Sequence, residues 1–168
     1  APLTMAAAVA GVSNHGIYCS PTAIDKVVVR ETKQEIAVPK SQCSQAVTPE
    51  VAAGMTYAMQ RVISGGTGGA SATGDNTPLA GKTGTTDSGV QTWMTGFSSA
   101  VGTATWVGNV SGSVALPGIR LNNKAGNTVR HDIWRTTMQT VNKLYPGGPL
   151  AAPPADMLAA TMVTVPGI

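Results

Sequence analysis

Three runs rich in β-branched and aromatic residues follow one another between Leu79 and Val110: LAGKTGTT, QTWMTGFS and TATWVGNV, separated only by short breaks containing DSG and AVG. A parallel pairing needs a crossover of about a dozen residues or more, so breaks this short force antiparallel neighbours. The spacing therefore predicts a meander of strands over Leu79–Thr86, Gln91–Ser98 and Thr103–Val110. Everything else must pack onto it.

Helical patterns flank the meander. Pro2 suits a first helical turn, Leu3–Val12 follows as an apolar helix, and SNHG ends it, with Gly16 free to take the left-handed conformation. In TPEVAAGMTYAMQRVIS, Thr48 is placed to cap, Pro49 to open the helix and Glu50 to face the positive end of its dipole. Val51, Met55, Met59 and Val62 recur at helical spacing as a core-facing stripe. In the last helix, VRHDIWRTTMQTVNKLY, the inner face is marked by Ile133, Trp134, Met138, Val141 and Tyr145, and Pro146 with two glycines stops it. Ser64–Thr77, SGGTGGASATGDNT, lacks periodicity and reads as a mobile surface loop of the kind that borders sites. The order helix, hairpin, helix, meander, helix gives an α+β fold, an antiparallel sheet flanked by helices, over residues 1–146, with a Pro/Gly-rich linker at 147–168.

Composition narrows the function classes. At 168 residues and 42% hydrophobic content the chain supports one domain with a real core. Only 11% of residues are charged and the net charge is +3, so the basic stripe of a nucleic-acid binder is missing. No apolar run approaches the ~20 residues that span a bilayer, and APLTMAAAVAGV lacks the basic start and cleavage site of a signal peptide. The abrupt helical start suggests a segment of something longer. His15 and His131 have no partners at ligand spacing, so no metal or cofactor is expected. Trp106 and Trp134 read as core aromatics, Met55, Met59 and Met138 as packing residues, and Trp93 as wall or core.

Cys19 and Cys43 lack CxxC spacing. The segment between them reads as a hairpin, Tyr18–Val38, with its tip near Glu31–Gln34, which brings its feet together. A disulfide between the feet, implying an oxidising compartment, is then available; the alternative is two reduced, part-buried thiols.

The first strand carries unusual residues for a sheet. Lys82 and Gly84 point one way and Thr83 and Thr85 the other. At a sheet edge, Lys82 offers a positive charge, the threonines offer hydroxyls, and Gly84 lets a second backbone approach. An extended peptide could add to that edge through main-chain hydrogen bonds, its carboxylate held by the hydroxyls near the ammonium. The structural alternative is an edge lysine that guards against aggregation, flanked by ordinary β-favouring threonines.

Six segments, PLTMAAAVAGVSNHGIY, SPTAIDKVV, VTPEVAAGMTYAMQRVISGGTG, AGKTGTT, TWMTGF and TATWVGNV, resemble in order and spacing the penicillin-binding transpeptidase domain of bifunctional (class A) peptidoglycan synthases, over Pro2 to about Tyr145. The resemblance implies the serine β-lactamase/transpeptidase fold and a D,D-transpeptidase reaction on peptidoglycan stem peptides, with β-lactams entering the same acyl-serine path. That family uses S-x-x-K, S-x-N and K-[ST]-G. No serine here has lysine three positions on or asparagine two positions on; only the third element is present, as Lys82-Thr83-Gly84. The resemblance thus implies a C-terminal portion of the domain, incomplete by itself, whose partner is the N-terminal segment bearing the serine. Lys82 would stabilise the carboxylate and the hydrogen-bond network. Thr83, Gly84, Thr85 and Thr86 would bind substrate, and the Thr85 N–H would be one oxyanion donor.

Gln91, Val110 and the lone Gly126 depart from the family pattern and bear on fine substrate preference. VTVPGI resembles the start of a PASTA wall-binding module found behind some actinobacterial members, and placement on the extracytoplasmic face of the bacterial membrane follows. A D,D-carboxypeptidase or β-lactamase of the same fold, and a non-catalytic wall-binding module, are the competing expectations.

Overall fold

A computed structural model describes residues 1–159; the VTVPGI segment lies outside them. Helix α1 spans Pro2–Ser13. Strand β1 (Ile17–Cys19) pairs antiparallel with β4 (Cys43–Gln45), and further out β2 (Val27–Val28) pairs with β3 (Glu35–Ile36). The tip falls between β2 and β3, where the Val29 N–H donates to the Gln34 carbonyl at 2.9 Å. The register sets Cys19 opposite Cys43, and the two form a disulfide with Cα atoms 4.0 Å apart.

Helix α2 spans Pro49–Gly65, with the Thr48 hydroxyl accepting the Val51 N–H at 3.4 Å. Its inner face differs from the expected stripe. Ala52, Ala53, Thr56 and Ile63 are buried, whereas Val51 and Met55 are exposed and only Met59 and Val62 are part-buried. Small side chains line the contact and let the helix lie close to its neighbours, so the bulky residues next to them turn outward.

The meander is a three-stranded antiparallel sheet in the order β5 (Ala80–Thr85), β6 (Gln91–Phe97), β7 (Gly102–Gly108). Its register places Gly81, Thr83 and Thr85 with Gly96, Met94 and Thr92 on one face, and Ala80, Lys82 and Gly84 with Phe97, Thr95 and Trp93 on the other. A two-residue Asn122-Asn123 turn with positive φ (49° and 64°) links β8 (Arg120–Leu121) to β9 (Lys124–Ala125), a small hairpin within the loose Gly/Asn stretch. Helix α3 follows at Val129–Leu144.

Each sheet face has its own core. On the first, Ile63 of α2 and Trp134 and Met138 of α3 pack with Leu79 and Met94. On the second, Val9 of α1 packs with Ala80 and Phe97, joined by Val12, Met59 and Leu150. Full burial of side chains such as Trp134, Met138, Met94 and Phe97 stabilises by ~1.5–3 kcal/mol each. Gly96 makes the first core possible, because a β-carbon there would sit 2.4 Å from the Ala80 carbonyl and 2.9 Å from the Trp134 ring. Trp106 is not a core residue, being 37% exposed, and Ile133 and Tyr145 face outward from α3. His131 and Asn142 take the inward positions instead.

Those polar positions anchor Ser64–Thr77, a segment that lies at the surface for most of its length, as expected. Ser71 and Thr73 are buried, and α3 pins the segment with a row of side chains. Arg135 donates to the Ala70 carbonyl at 2.6 Å, Gln139 to the Thr73 carbonyl at 2.9 Å, and Asn142 to the Asp75 carboxylate at 2.9 Å. Hydrophobic periodicity is absent because hydrogen bonds fix the loop.

Candidate functional site

Strand β5 is an edge strand: its only partner among the described residues is β6. The Thr86 N–H donates to the Gln91 carbonyl at 3.1 Å. Alternation along an antiparallel strand then turns the N–H and C=O groups of Lys82 and Gly84 toward β6, and those of Thr83 and Thr85 toward the open edge. Main-chain donors and acceptors are therefore presented where an extended ligand strand would pair.

The side chains converge on the same edge from both faces. Lys82 is exposed, and its ammonium folds around the edge to donate to the Thr83 carbonyl at 2.8 Å. Thr83 Oγ1 lies 2.7 Å from Thr67 Oγ1, at the end of the pinned loop. Gly84 has Trp93 beneath it, and an added β-carbon would stand 3.3 Å from the Trp93 β-carbon. The missing side chain thus serves packing on β6 as well as access. Thr86 sits at the β5–β6 turn, its hydroxyl accepting the Gln91 N–H at 3.1 Å.

Thr85 has a neighbour that sequence reasoning missed. Arg130, in the first turn of α3, donates from Nη1 to Thr85 Oγ1 at 3.1 Å and to Thr92 Oγ1. Thr92, fully buried, donates in turn to the Gly84 carbonyl at 3.1 Å, so the guanidinium holds both the side chain and the backbone of the motif. Behind it, Arg130 Nε donates to His131 Nε2 at 3.2 Å, and His131 Nδ1 lies 2.8 Å from Ser71 Oγ. Because Nε2 accepts, the proton of the neutral imidazole is on Nδ1 and is donated to Ser71. Burial pushes the His131 pKa down from 6.5, the Arg130 and Arg135 charges push it further, and Asp132 opposes them. Burial also pushes the Arg130 guanidinium down from its ordinary value, although a guanidinium stays charged. The one signal in the sequence was a cation in the first turn of a helix, where the dipole disfavours it.

The Lys82 face is covered unevenly. Helix α1 closes the Phe97–Gly102 end, where Gly102 lets Ala10 approach. At the Lys82 end, Trp93 and Trp106 meet with ring centroids 6.5 Å apart, and Trp106 donates to the exposed Gln91 side chain at 3.2 Å. A cavity of about 580 Å³ lies away from this edge, between the end of α1, the disulfide and the Ser99–Gly102 turn, and includes no residue of the motif. Among the described residues no strand pairs with the open edge of β5. Cys19 and Cys43 are remote from it and brace the β1–β4 hairpin. Among the described residues no acid, cysteine or histidine cluster suited to a metal occurs.

The family model of the penicillin-binding protein transpeptidase domain matches residues 1–139. A penicillin-binding protein 1A of Mycobacterium tuberculosis is 31% identical over 156 residues, covering 86% of this chain and 19% of the relative. The structure of the penicillin-binding protein PonA1 from Mycobacterium tuberculosis superposes with a TM-score of 0.77 at 29% identity, covering 89% of this chain and 40% of that one. PonA1 has also been solved in complex with penicillin V. The chain spans about a fifth of the length of the curated relatives it matches.

Proposed function

The chain belongs to the penicillin-binding protein transpeptidase family, and on that premise we propose that it forms part of a peptidoglycan D,D-transpeptidase, providing the lysine-strand wall of the catalytic cleft. The observation that carries this reading is the edge of β5, where an ammonium, two outward main-chain N–H groups and the Thr85 hydroxyl converge with no strand among the described residues paired against them.

In this reading the facing wall is an N-terminal segment of the domain, bearing S-x-x-K and S-x-N, which docks on the uncovered Trp93/Trp106 half of the sheet. The serine hydroxyl attacks the carbonyl between the terminal D-alanines of a stem peptide. The C–N bond breaks, D-alanine leaves, and an amine of a neighbouring strand then attacks the serine ester to form the cross-link and free the serine. Thr83 and Thr85 hold the peptide carboxylate, Gly84 and Thr86 shape the strand that receives it, and Lys82 stabilises its charge. The Thr85 N–H is one oxyanion donor and the serine N–H the other. Loss of one such donor raises a barrier by ~2.7–4 kcal/mol, so the wall alone does not turn over. β-Lactams follow the first half of this path and remain attached.

Residues 1–146 are taken as the transpeptidase portion, followed by 147–168, of which Leu150 still packs into the second core. The disulfide accords with an extracytoplasmic, oxidising location. No helix among the described residues is long and apolar enough to cross a membrane. Labelling with a fluorescent penicillin tests the proposal. The 168-residue chain alone forms no adduct by intact mass, whereas the domain reassembled with a serine-bearing segment does. A covalent adduct on the chain alone, or none on the reassembled domain, overturns it.

A further inference from the structure

Arg130 is a half-buried cation that forms no ion pair among the described residues. Asp132, two residues on, pairs with Lys124 and Arg135 instead, and the remaining ion pair among the described residues, Lys26 with Glu35, lies in the hairpin. A half-buried guanidinium with no protein counter-charge is a favourable place for an anion to bind. Its position in the first turn of α3 acts in the same sense, since the helix dipole there repels cations.

The hydrogen-bond count shows which donors are left. Nε is used by His131, and the two hydrogens of Nη1 by Thr85 and Thr92, which leaves Nη2 without a protein acceptor among the described residues. Thr85 Oγ1 accepts from the guanidinium, so its single hydrogen is free to be donated. A hydroxyl that accepts from a cation is a polarised, stronger donor. The result is a two-point donor set, the Thr85 O–H and Arg130 Nη2, at the open end of β5, fixed from behind by the buried His131–Ser71 pair.

We propose that Arg130 is a carboxylate-recognition residue of this site, orienting Thr85 and binding the terminal carboxylate of the acyl donor, with His131 and Ser71 as its positioning residues. A planar guanidinium suits a carboxylate, which accepts two parallel N–H bonds, better than a point charge does. This rests on the reading of the lysine strand as one wall of an acylation cleft.

The test compares acylation of the reassembled domain by penicillin V and by its methyl ester, which lacks the anion. Arg130→Ala and Arg130→Met lower the rate constant for the acid by about 10- to 100-fold, the worth of one charge-assisted hydrogen bond, and that for the ester by less than about 2-fold. His131→Leu reduces the acid-to-ester ratio in the same sense, and His131→Gln, which keeps an acceptor for Nε, restores most of it. Equal losses for acid and ester reveal a merely structural arginine and overturn the proposal, as does an unchanged ratio. A second measurement, on the 168-residue chain, does not depend on acylation or on a variant's folding. Titration with N-acetyl-D-alanine shifts the Thr85 amide and Arg130 Nε–H resonances, and titration with its carboxamide does not. Matching responses to acid and amide overturn the inference. If the reassembled domain fails to acylate while the carboxylate-selective shift persists, the transpeptidase reading falls and the recognition site stands.

Discussion

Ser71 Oγ and His131 Nδ1 lie 2.8 Å apart across 60 residues of sequence, both side chains buried between the loop after α2 and the start of α3. Ser71→Ala leaves a buried imidazole N–H without an acceptor, which destabilises by ~1–3 kcal/mol. Urea denaturation of wild type and variant measures the difference. A change under ~0.5 kcal/mol, the range of ordinary surface substitutions, would mean that the contact does not hold the loop.

The same pair sets a pH dependence. His131 is neutral in the fold, because burial and the Arg130 and Arg135 charges outweigh Asp132 and depress its pKa below 6.5. Unfolding lets it take a proton, so its contribution is complete above 6.5 and is lost as pH falls through the lower folded value. Asp75 acts in a more acidic window. Burial pushes its carboxyl up, but hydrogen bonds from Thr73, Asn142 and Thr77 prevail and hold it at about 2, down from 3.8. Its contribution is present above 3.8 and disappears as pH falls through about 2. Tm should be level above pH 6.5 as far as these two groups determine it, then fall in two stages. His131→Gln flattens the first stage and Asp75→Asn the second; a first stage unchanged in His131→Gln would assign it to another group.

Sequence periodicity located the three helices and the meander because large side chains and short turns leave strong local signals. It misassigned the inner faces where small or polar residues make the contact. Val51 and Met55 look like core, yet Ala52 and Thr56 are buried, since close approach of α2 favours small volumes. Ile133 and Tyr145 look like core, yet His131 and Asn142 face inward to satisfy the loop between α2 and β5. At the proposed site, Lys82 and Thr85 stand out in the sequence because the motif is contiguous. Arg130 does not, because its partners Thr85 and Thr92 are 45 and 38 residues away and only the sheet register brings them together.

Gly96 is the tightest point of the first core. Gly96→Ala places a methyl 2.4 Å from the Ala80 carbonyl and 2.9 Å from the Trp134 ring, and neither backbone nor a fully buried indole yields readily. Overpacking of this kind destabilises by ~1–3 kcal/mol or more. Trp134 fluorescence and a thermal melt report it, and an unchanged Tm would show slack in this core.

The Cys19–Cys43 bond closes a loop of 24 residues, for which chain entropy gives ~3 kcal/mol of stabilisation. The hairpin beyond it is largely exposed, and its feet are otherwise held by the short β1–β4 ladder and by hydrogen bonds between Ser20 and Ser41 and Gln42. Reduction should speed tryptic cleavage at Arg30 and Lys33, while the Trp134 environment in the sheet core persists. Equal cleavage rates before and after reduction would show that the β1–β4 pairing suffices alone.

Lys82 offers the sharpest separation of function from fold. Among the described residues its ammonium has one hydrogen-bond partner, the Thr83 carbonyl at 2.8 Å, and its side chain is exposed. Lys82→Ala should therefore leave Tm within ~0.5 kcal/mol equivalents of wild type, as for other surface changes. An edge-guarding lysine would reveal itself only in aggregation, since its removal uncovers an unpaired strand without touching any chemistry. A lysine that stabilises developing charge in an acylation cleft acts on the barrier. Its removal then slows β-lactam acylation of the reassembled domain by at least ~10²-fold, the scale of losing one preorganised electrostatic partner. Stopped-flow acylation and light scattering on the same preparation distinguish the two roles. Slow acylation with unchanged solubility assigns Lys82 to the cleft, and normal acylation with faster aggregation returns it to the sheet edge.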